Sequence, residues 1–210
     1  MYNFRNVLVL APHTDDGELG AGATIRKLVE KGAKITYVAF SSCEESVPSE
    51  FPRDILRTEV KLATKELGID ESNVVVLNYN VRYFYEKRQE ILEDLISIRA
   101  KSNYDLVLTP STQDIHQDHA VISQESIRAF KNTTILGYEL AWNMMSNSNQ
   151  LFVDVSESHL EAKFSALSKY QSQGFRGYLT REFVFSLAKS KGIQVGKEYS
   201  ESFEVIRMYL

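Results

Sequence analysis

The chain has 210 residues, 43% of them hydrophobic, and a formal net charge of -4. This size suits one domain with a full central sheet, and we expect residues 1–140 to form its core and residues 141–210 a C-terminal elaboration of the same domain. The acidic balance disfavours nucleic acid as a partner. No apolar segment approaches the roughly 18 residues of a membrane span and no signal-like leader is seen, so we expect a cytoplasmic protein. Composition leaves homo-oligomerisation open.

Strand-like and helix-like segments alternate along the chain, which is typical of a parallel α/β sheet. We predict five strands in the first part of the chain, at residues 7–10, 35–40, 74–77, 104–109 and 134–138. Two more are predicted at residues 151–155 and 203–209, and a last helix at residues 181–189 is expected to stop at Gly192. The expected fold is a single-domain, Rossmann-like, doubly wound and mostly parallel sheet with core order 3-2-1-4-5.

Three of the four histidines lie in two short polar clusters that each follow an apolar strand. Residues 13–16 (His-Thr-Asp-Asp) follow the first strand, and residues 116–119 (His-Gln-Asp-His) follow the fourth. An Asp-Asp pair before a helix is also typical of a simple helix N-cap. The order 3-2-1-4-5, however, places strands one and four side by side, and both clusters then line the crevice at the carboxyl ends of the strands.

Two imidazoles and one carboxylate around an open position are typical of a catalytic zinc centre. Such an ion lowers the pKa of a bound water toward about 7 and polarises a carbonyl oxygen. The clusters hold more candidate groups than three ligands require, so the remaining carboxylate and imidazole are free to move protons or to stabilise an oxyanion. This combination predicts the hydrolysis of an amide or ester.

At these residues the chain resembles the LmbE-like, or PIG-L, family of zinc-dependent N-deacetylases. The family motif Ala-His-Pro-Asp-Asp stands here as Pro-His-Thr-Asp-Asp at residues 12–16, so Thr14 replaces the usual proline. The second motif, His-Pro-Asp-His, stands at residues 116–119 with Gln117 in place of proline. Neither exchange removes a functional side chain.

The resemblance implies one Zn²⁺ per chain, with Fe²⁺ or another divalent metal as an alternative. The implied metal ligands are two histidines and a carboxylate: His13, Asp16 and His119. The implied catalytic groups are a general base, a group that stabilises the tetrahedral intermediate, and a residue that orients the latter: Asp15, His116 and Asp118.

The implied substrate is a small N-acyl, above all N-acetyl, amino sugar, or its glycoconjugate or nucleotide-sugar form. Candidates for contacting it are polar or aromatic residues in or near the predicted crevice: Glu18, Arg57, Asn80, Arg82 and Trp142. For Arg57 the competing interpretation is a solvated helix charge. For Trp142 it is a packing anchor beneath the loop.

Two other classes of function compete with this interpretation. Two histidines and one carboxylate also form the ligand set of non-haem iron oxygenases, but those ligands usually lie on a β-sandwich, and the alternating helices argue against one. The glycines at positions 17, 20 and 22 also suit a phosphate-binding helix start. The neighbouring carboxylates would repel phosphate, and the spacing lacks the dinucleotide-binding pattern.

Overall fold

A computed structural model describes residues 4–146 and 149–209 of the chain. Its seven strands form one sheet: β1 (Asn6–His13), β2 (Lys34–Ser41), β3 (Val74–Val76), β4 (Leu106–Pro110), β5 (Thr134–Tyr138), β6 (Leu151–Asp154) and β7 (Ser200–Arg207). The strand order is β3-β2-β1-β4-β5-β7-β6. The first five strands are parallel and lie in the predicted order, whereas β7 pairs antiparallel with both β5 and β6.

Helices cover both faces of the sheet. They are α1 (Asp16–Glu30), α2 (Ile55–Glu66), α3 (Arg88–Lys101), α4 (Gln117–Ala129), α5 (Glu157–Leu167) and α6 (Arg181–Gln194). Side chains of α1, α2, α5 and α6 pack on one face, and those of α3 and α4 pack on the other. Strand β1 is buried on both sides because Val7 and Val9 point into the first layer while Leu8 and Leu10 point into the second. This explains why its sequence is an uninterrupted apolar run. Within the described ranges, no helix combines the length and apolar character needed to cross a bilayer.

The glycines of α1 allow close packing of the helix against the sheet. A Cβ at position 17 would lie 2.7 Å from the Tyr37 side chain, and a Cβ at position 20 would clash with the ring of Tyr138. These glycines therefore allow the helix to approach the sheet closely. This explains them without the phosphate-binding helix start considered above.

The predicted end of the last helix is wrong. Helix α6 continues to Gln194, and Gly192 is a buried residue inside it. A Cβ there would lie 2.7 Å from the backbone oxygens of Lys197 and Glu198, so the glycine serves close packing against the following loop. The left-handed turn comes at Gly196, whose φ is 68°.

Candidate metal and active site

The two histidine-bearing loops meet at the carboxyl ends of β1 and β4. These strands pair directly, with Val9 opposite Leu108. The rings of His13 and His119 lie 5.1 Å apart between centroids, and the ring of His116 stacks on that of His119 at 4.4 Å. Segments about a hundred residues apart in sequence therefore form one cluster, because β1 and β4 are neighbours in the sheet.

Three donor atoms in this cluster form a nearly equilateral triangle. Asp16 Oδ2 lies 3.1 Å from His13 Nδ1 and 3.2 Å from His119 Nε2, and the two nitrogens are 3.2 Å apart. Donors held about 2.0–2.1 Å from a tetrahedral Zn²⁺ are separated from one another by about 3.3 Å. The spacing of the three atoms therefore fits one face of a zinc coordination tetrahedron, and all three residues line the same pocket.

A second donor set replaces Asp16 with His116. One ring nitrogen from each of His13, His116 and His119 lies within 4.8 Å of the others, a looser arrangement than the triangle. His116 Nδ1 accepts a hydrogen bond from the Asp118 backbone N–H at 3.2 Å. Burial, with the two neighbouring histidines, lowers the pKa of His116 to about 4. The neutral ring therefore carries its proton on Nε2, where it can donate a hydrogen bond.

Each histidine of the triangle is held from behind by a carboxylate. Asp118 Oδ2 lies 3.1 Å from His13 Nε2, and Asp114 Oδ2 lies 2.8 Å from His119 Nδ1. Carboxylates in this position fix the tautomer and the orientation of a metal-binding imidazole. The sequence analysis missed Asp114, although an acidic residue five positions before a candidate ligand histidine was a usable signal.

The contact of Asp118 differs from the one that the resemblance implies. Its carboxylate contacts the His13 ring, not the His116 ring, because His116 occupies the N-cap of α4 and its Nδ1 is already bound to the helix backbone. The backbone N–H groups of Arg82 (2.6 Å) and Phe84 (3.4 Å) also donate to Asp118. To do so, Arg82 adopts a left-handed backbone with φ of 73°, which costs a non-glycine residue about 1–2 kcal/mol.

The charges of the triangle compensate one another. Burial opposes ionisation of Asp16, but the adjacent His119 and His13 hold the pKa of this carboxyl well below its usual range. Burial likewise opposes protonation of His119, yet Asp16 and Asp114 together raise the pKa of its imidazole to about 10. The buried carboxylates thus favour a positive charge at the centre of the cluster, which is the environment that a divalent cation requires.

Asp15 occupies the N-cap position of α1, but its side chain makes no capping hydrogen bond. It lines the pocket beside the triangle. Burial and the neighbouring Asp16 raise the pKa of Asp15 to about 6, while His13 and Arg176 oppose this shift. The simple N-cap interpretation of the Asp-Asp pair therefore does not explain Asp15, whose carboxylate is free to exchange a proton in the pocket.

Three of the predicted substrate contacts lie outside this pocket. Glu18 is fully buried and accepts hydrogen bonds from the hydroxyls of Tyr170 (2.8 Å) and Tyr37, so it does not reach a ligand. Arg57 and Asn80 border a separate shallow depression, where Arg57 contacts the side chain of Asn78. Arg82 and Trp142 do line the pocket.

The far wall of the pocket comes from the segment after β5. The pocket has a volume of about 320 Å³, and this wall includes Trp142, Asn143, Gln173, Arg176 and Tyr178. The Trp142 and Tyr178 rings stack at 3.9 Å with an interplanar angle of 9°. Trp142 is therefore a packing residue and a wall of the pocket at once, since 40% of its surface remains exposed. Of these five residues, the sequence analysis identified only Trp142.

Comparison with known proteins agrees with the motifs. Residues 8–130 match the family model described as PIG-L, GlcNAc-PI de-N-acetylase. The chain belongs to this family. It is also 31% identical over 174 residues to the uncharacterized deacetylase YaiS of Escherichia coli strain K12, a match that covers 80% of this chain and 91% of that protein. The family resemblance expected from the two motifs is thereby confirmed.

Solved structures of other members of this fold superpose over nearly the whole chain. The N,N'-diacetylchitobiose deacetylase of Pyrococcus horikoshii matches with a TM-score of 0.73 and 22% identity, covering 97% of this chain and 84% of that one. GalB, a 4-carboxy-2-hydroxymuconate hydratase of Pseudomonas putida KT2440, matches with a TM-score of 0.79 and 18% identity, covering 98% of each chain. At these identities the likeness confirms the predicted α/β fold and leaves the reaction to the site itself.

Proposed function

We propose that this chain is a divalent-metal-dependent hydrolase that removes the N-acetyl group of an amino sugar or of its glycoconjugate or nucleotide-sugar form. One observation carries the proposal: Asp16, His13 and His119 present three donor atoms at zinc-ligand spacing. The Asp15 carboxylate lies beside them and makes no helix-capping hydrogen bond. Membership of a deacetylase family supports it.

In this proposal Zn²⁺ would be held by His13 Nδ1, Asp16 Oδ2 and His119 Nε2. A Zn²⁺ ion in such a site lowers the pKa of a coordinated water toward about 7 and polarises a carbonyl oxygen. Asp118 and Asp114 keep the two imidazoles in the tautomers that turn the ligand nitrogens toward the pocket.

Two further side chains move or stabilise charge during the reaction. The Asp15 carboxylate takes a proton from the attacking water and returns it to the amide nitrogen as the C–N bond breaks, which releases acetate and the free amine. His116 donates its Nε2–H to the acyl oxygen as negative charge develops there. The Nδ1 contact with the α4 backbone keeps that proton on Nε2.

The test is acetate release from a panel of N-acetyl sugars by protein whose bound metal has been quantified. The panel contains N-acetylglucosamine, its methyl glycoside, di-N-acetylchitobiose and UDP-N-acetylglucosamine. We expect one amine per acetate from at least one substrate, loss of turnover with a chelator, and recovery with Zn²⁺. An enzyme that is indifferent to chelation, or that yields no acetate from any sugar, would contradict the proposal.

Two control reactions address the other chemistries. Because the GalB hydratase has the same fold, hydration of an unsaturated dicarboxylic acid is measured with the same preparation. Loading with Fe²⁺ under anaerobic conditions, followed by exposure to oxygen, tests for an oxygenase. Turnover in either control, without acetate release from sugars, would contradict the deacetylase proposal and favour the hydratase or oxygenase reaction instead.

A further inference from the structure

We propose that the amino-sugar substrate carries an oxyanion, a carboxylate or a phosphate, beyond its acyl group, and that the Arg176 guanidinium binds it. This inference rests on the function proposed above and names the substrate class more closely. Arg176 lies on the pocket wall that follows β5, on the connection between α5 and α6.

Two neutral groups hold the Arg176 side chain in place. Its Nε donates to Gln173 Oε1 at 2.7 Å, and its Nη1 donates to the Tyr178 hydroxyl at 2.5 Å. Among the described residues no carboxylate lies within 4 Å of this guanidinium, in contrast to Arg181 on the same segment, which pairs with Glu161. A guanidinium has five N–H donors, so three remain for a ligand.

The support for Arg176 continues into the protein interior. Gln173 is buried, and its Nε2 donates to Ser172 Oγ at 3.3 Å. Ser172 in turn donates its hydroxyl and its backbone N–H to the buried Glu59 of α2, at 2.6 and 3.0 Å. The arginine is thus ordered in advance by a chain of buried polar groups, which reduces the conformational entropy that its side chain would lose on binding an oxyanion.

The charges and shape of the pocket favour an anion at this position. Of the two carboxylates that line the pocket, Asp16 contacts the two ligand histidines, and Asp15 lies beyond ion-pair distance of the Arg176 guanidinium. Arg82 also borders this pocket and contributes a further positive charge near it. The stacked rings of Trp142 and Tyr178 line the same pocket and offer it an aromatic surface suited to a pyranose.

The test compares substrates that differ only in charge at the aglycone. Kinetic constants are measured for the methyl glycoside of N-acetylglucosamine, its carboxymethyl glycoside and N-acetylglucosamine 1-phosphate, so that the last two distinguish the sources of the oxyanion. The variants are Arg176→Gln, which removes the charge, and Arg176→Lys, which keeps it. Arg181→Gln is the matched control: Arg176 lies over the Tyr178 ring and Arg181 over the Phe185 ring, but Arg181 is outside the pocket.

We expect the wild type to prefer at least one anionic substrate over the neutral glycoside by about tenfold or more in kcat/KM, since charge-assisted hydrogen bonds to arginine are worth about 1.5–3 kcal/mol. Arg176→Gln should raise KM for that substrate by about 10-fold to 100-fold, and its effect on the neutral glycoside should be at least about tenfold smaller. Arg176→Lys should recover part of the loss, and Arg181→Gln should behave as wild type.

Failure of the inference and failure of the function have different signatures. Equal turnover of neutral and anionic substrates, or an equal effect of Arg176→Gln on both, overturns the inference while deacetylation stands. Absence of acetate from every substrate overturns the function and the inference together. If Arg176→Gln does not fold, as judged by circular dichroism, the charge preference of the wild type and the Arg176→Lys variant decide the question.

Discussion

The part of the chain up to the end of β5 and the part after it contribute different things to one pocket. The first part brings the donor triangle, Asp15 and His116, all within ten residues of the ends of β1 and β4. The second part brings the wall from Trp142 to Tyr178, with Arg176 between. The residues of the proposed reaction thus lie on loops fixed to adjacent parallel strands, whereas the residues proposed to face the rest of the substrate lie on longer irregular connections.

This division has a physical basis. A donor set for a metal must be held to within a fraction of an ångström, and loops anchored directly on buried strands provide that precision. A substrate wall tolerates more variation, so it can be assembled from connecting segments that pack on one another through aromatic contacts such as the Trp142–Tyr178 stack. The variants below test whether binding of metal, proton transfer and substrate contact separate along this division.

The largest effect is expected from Asp16→Asn, which weakens one corner of the donor triangle. We expect loss of bound Zn²⁺ and a fall in turnover of at least about a thousandfold, because the proposed reaction requires the ion. His116→Ala should retain the metal and lose only turnover. Metal content after gel filtration, measured by mass spectrometry, distinguishes the two, and the opposite pattern would favour the set of three histidines. Trp142→Ala, in the other part of the chain, should keep a full metal complement.

Asp15→Asn comes next in size. We expect kcat to fall by about 10²- to 10⁴-fold with Zn²⁺ still bound, since general-base catalysis typically contributes that much. The melting temperature should not drop, because the Asp15 side chain makes no capping hydrogen bond. Steady-state kinetics, metal analysis and a thermal melt on one preparation check all three statements. A variant with wild-type kcat would remove Asp15 from the mechanism.

Sequence alone predicted the core order of the sheet and the meeting of the two loops, because both follow from local patterns. A buried strand that ends in histidine and aspartate is visible within ten residues, and parallel topology determines which strand ends are adjacent. The wall residues Gln173 and Arg176 carry no such pattern. Their position depends on how the connection between α5 and α6 folds over the pocket, which no local periodicity encodes.

Glu18 shows how proximity in sequence misleads. It lies two residues after Asp16, and the sequence therefore suggested that it contacts the substrate. Helical residues are offset by about 100° each, so Glu18 points roughly 200° away from Asp16, toward β2. There it contacts Tyr37 and Tyr170 and not the pocket. The sequence alone predicts that Glu18 and Asp16 lie on different faces of α1. It does not predict which of these faces packs against the sheet.

A smaller effect is expected from Asp114→Asn, in the carboxylate that the sequence analysis missed. Replacing a carboxylate behind a metal-binding histidine typically costs about 10–100-fold in metal affinity or activity. Asp118→Asn is the matched variant, since the two carboxylates support His119 and His13 respectively. Competition with a zinc chelator measures both affinities. Unchanged affinity in Asp114→Asn would show that His119 is oriented by packing alone.

The smallest effect on turnover is expected from Glu18→Gln, yet this variant should change how stability depends on pH. Burial raises the pKa of Glu18 to about 8, above its ordinary value of 4.5. Between these two pH values Glu18 keeps its proton in the folded protein and loses it in the unfolded chain. The free energy of unfolding therefore falls as pH rises, by up to about 1.4 kcal/mol per pH unit from this group. Glutamine has no proton to lose in this pH range.

Urea unfolding of the metal-loaded proteins should therefore show the variant gaining stability relative to wild type from pH 5 to pH 8, with the contribution of the metal cancelling in the difference. If the free energies of unfolding of variant and wild type changed with pH in parallel, Glu18 would be ionised in the folded protein. The expected difference between a buried, neutral Glu18 and a proton-exchanging Asp15 on the same helix turn would then be wrong.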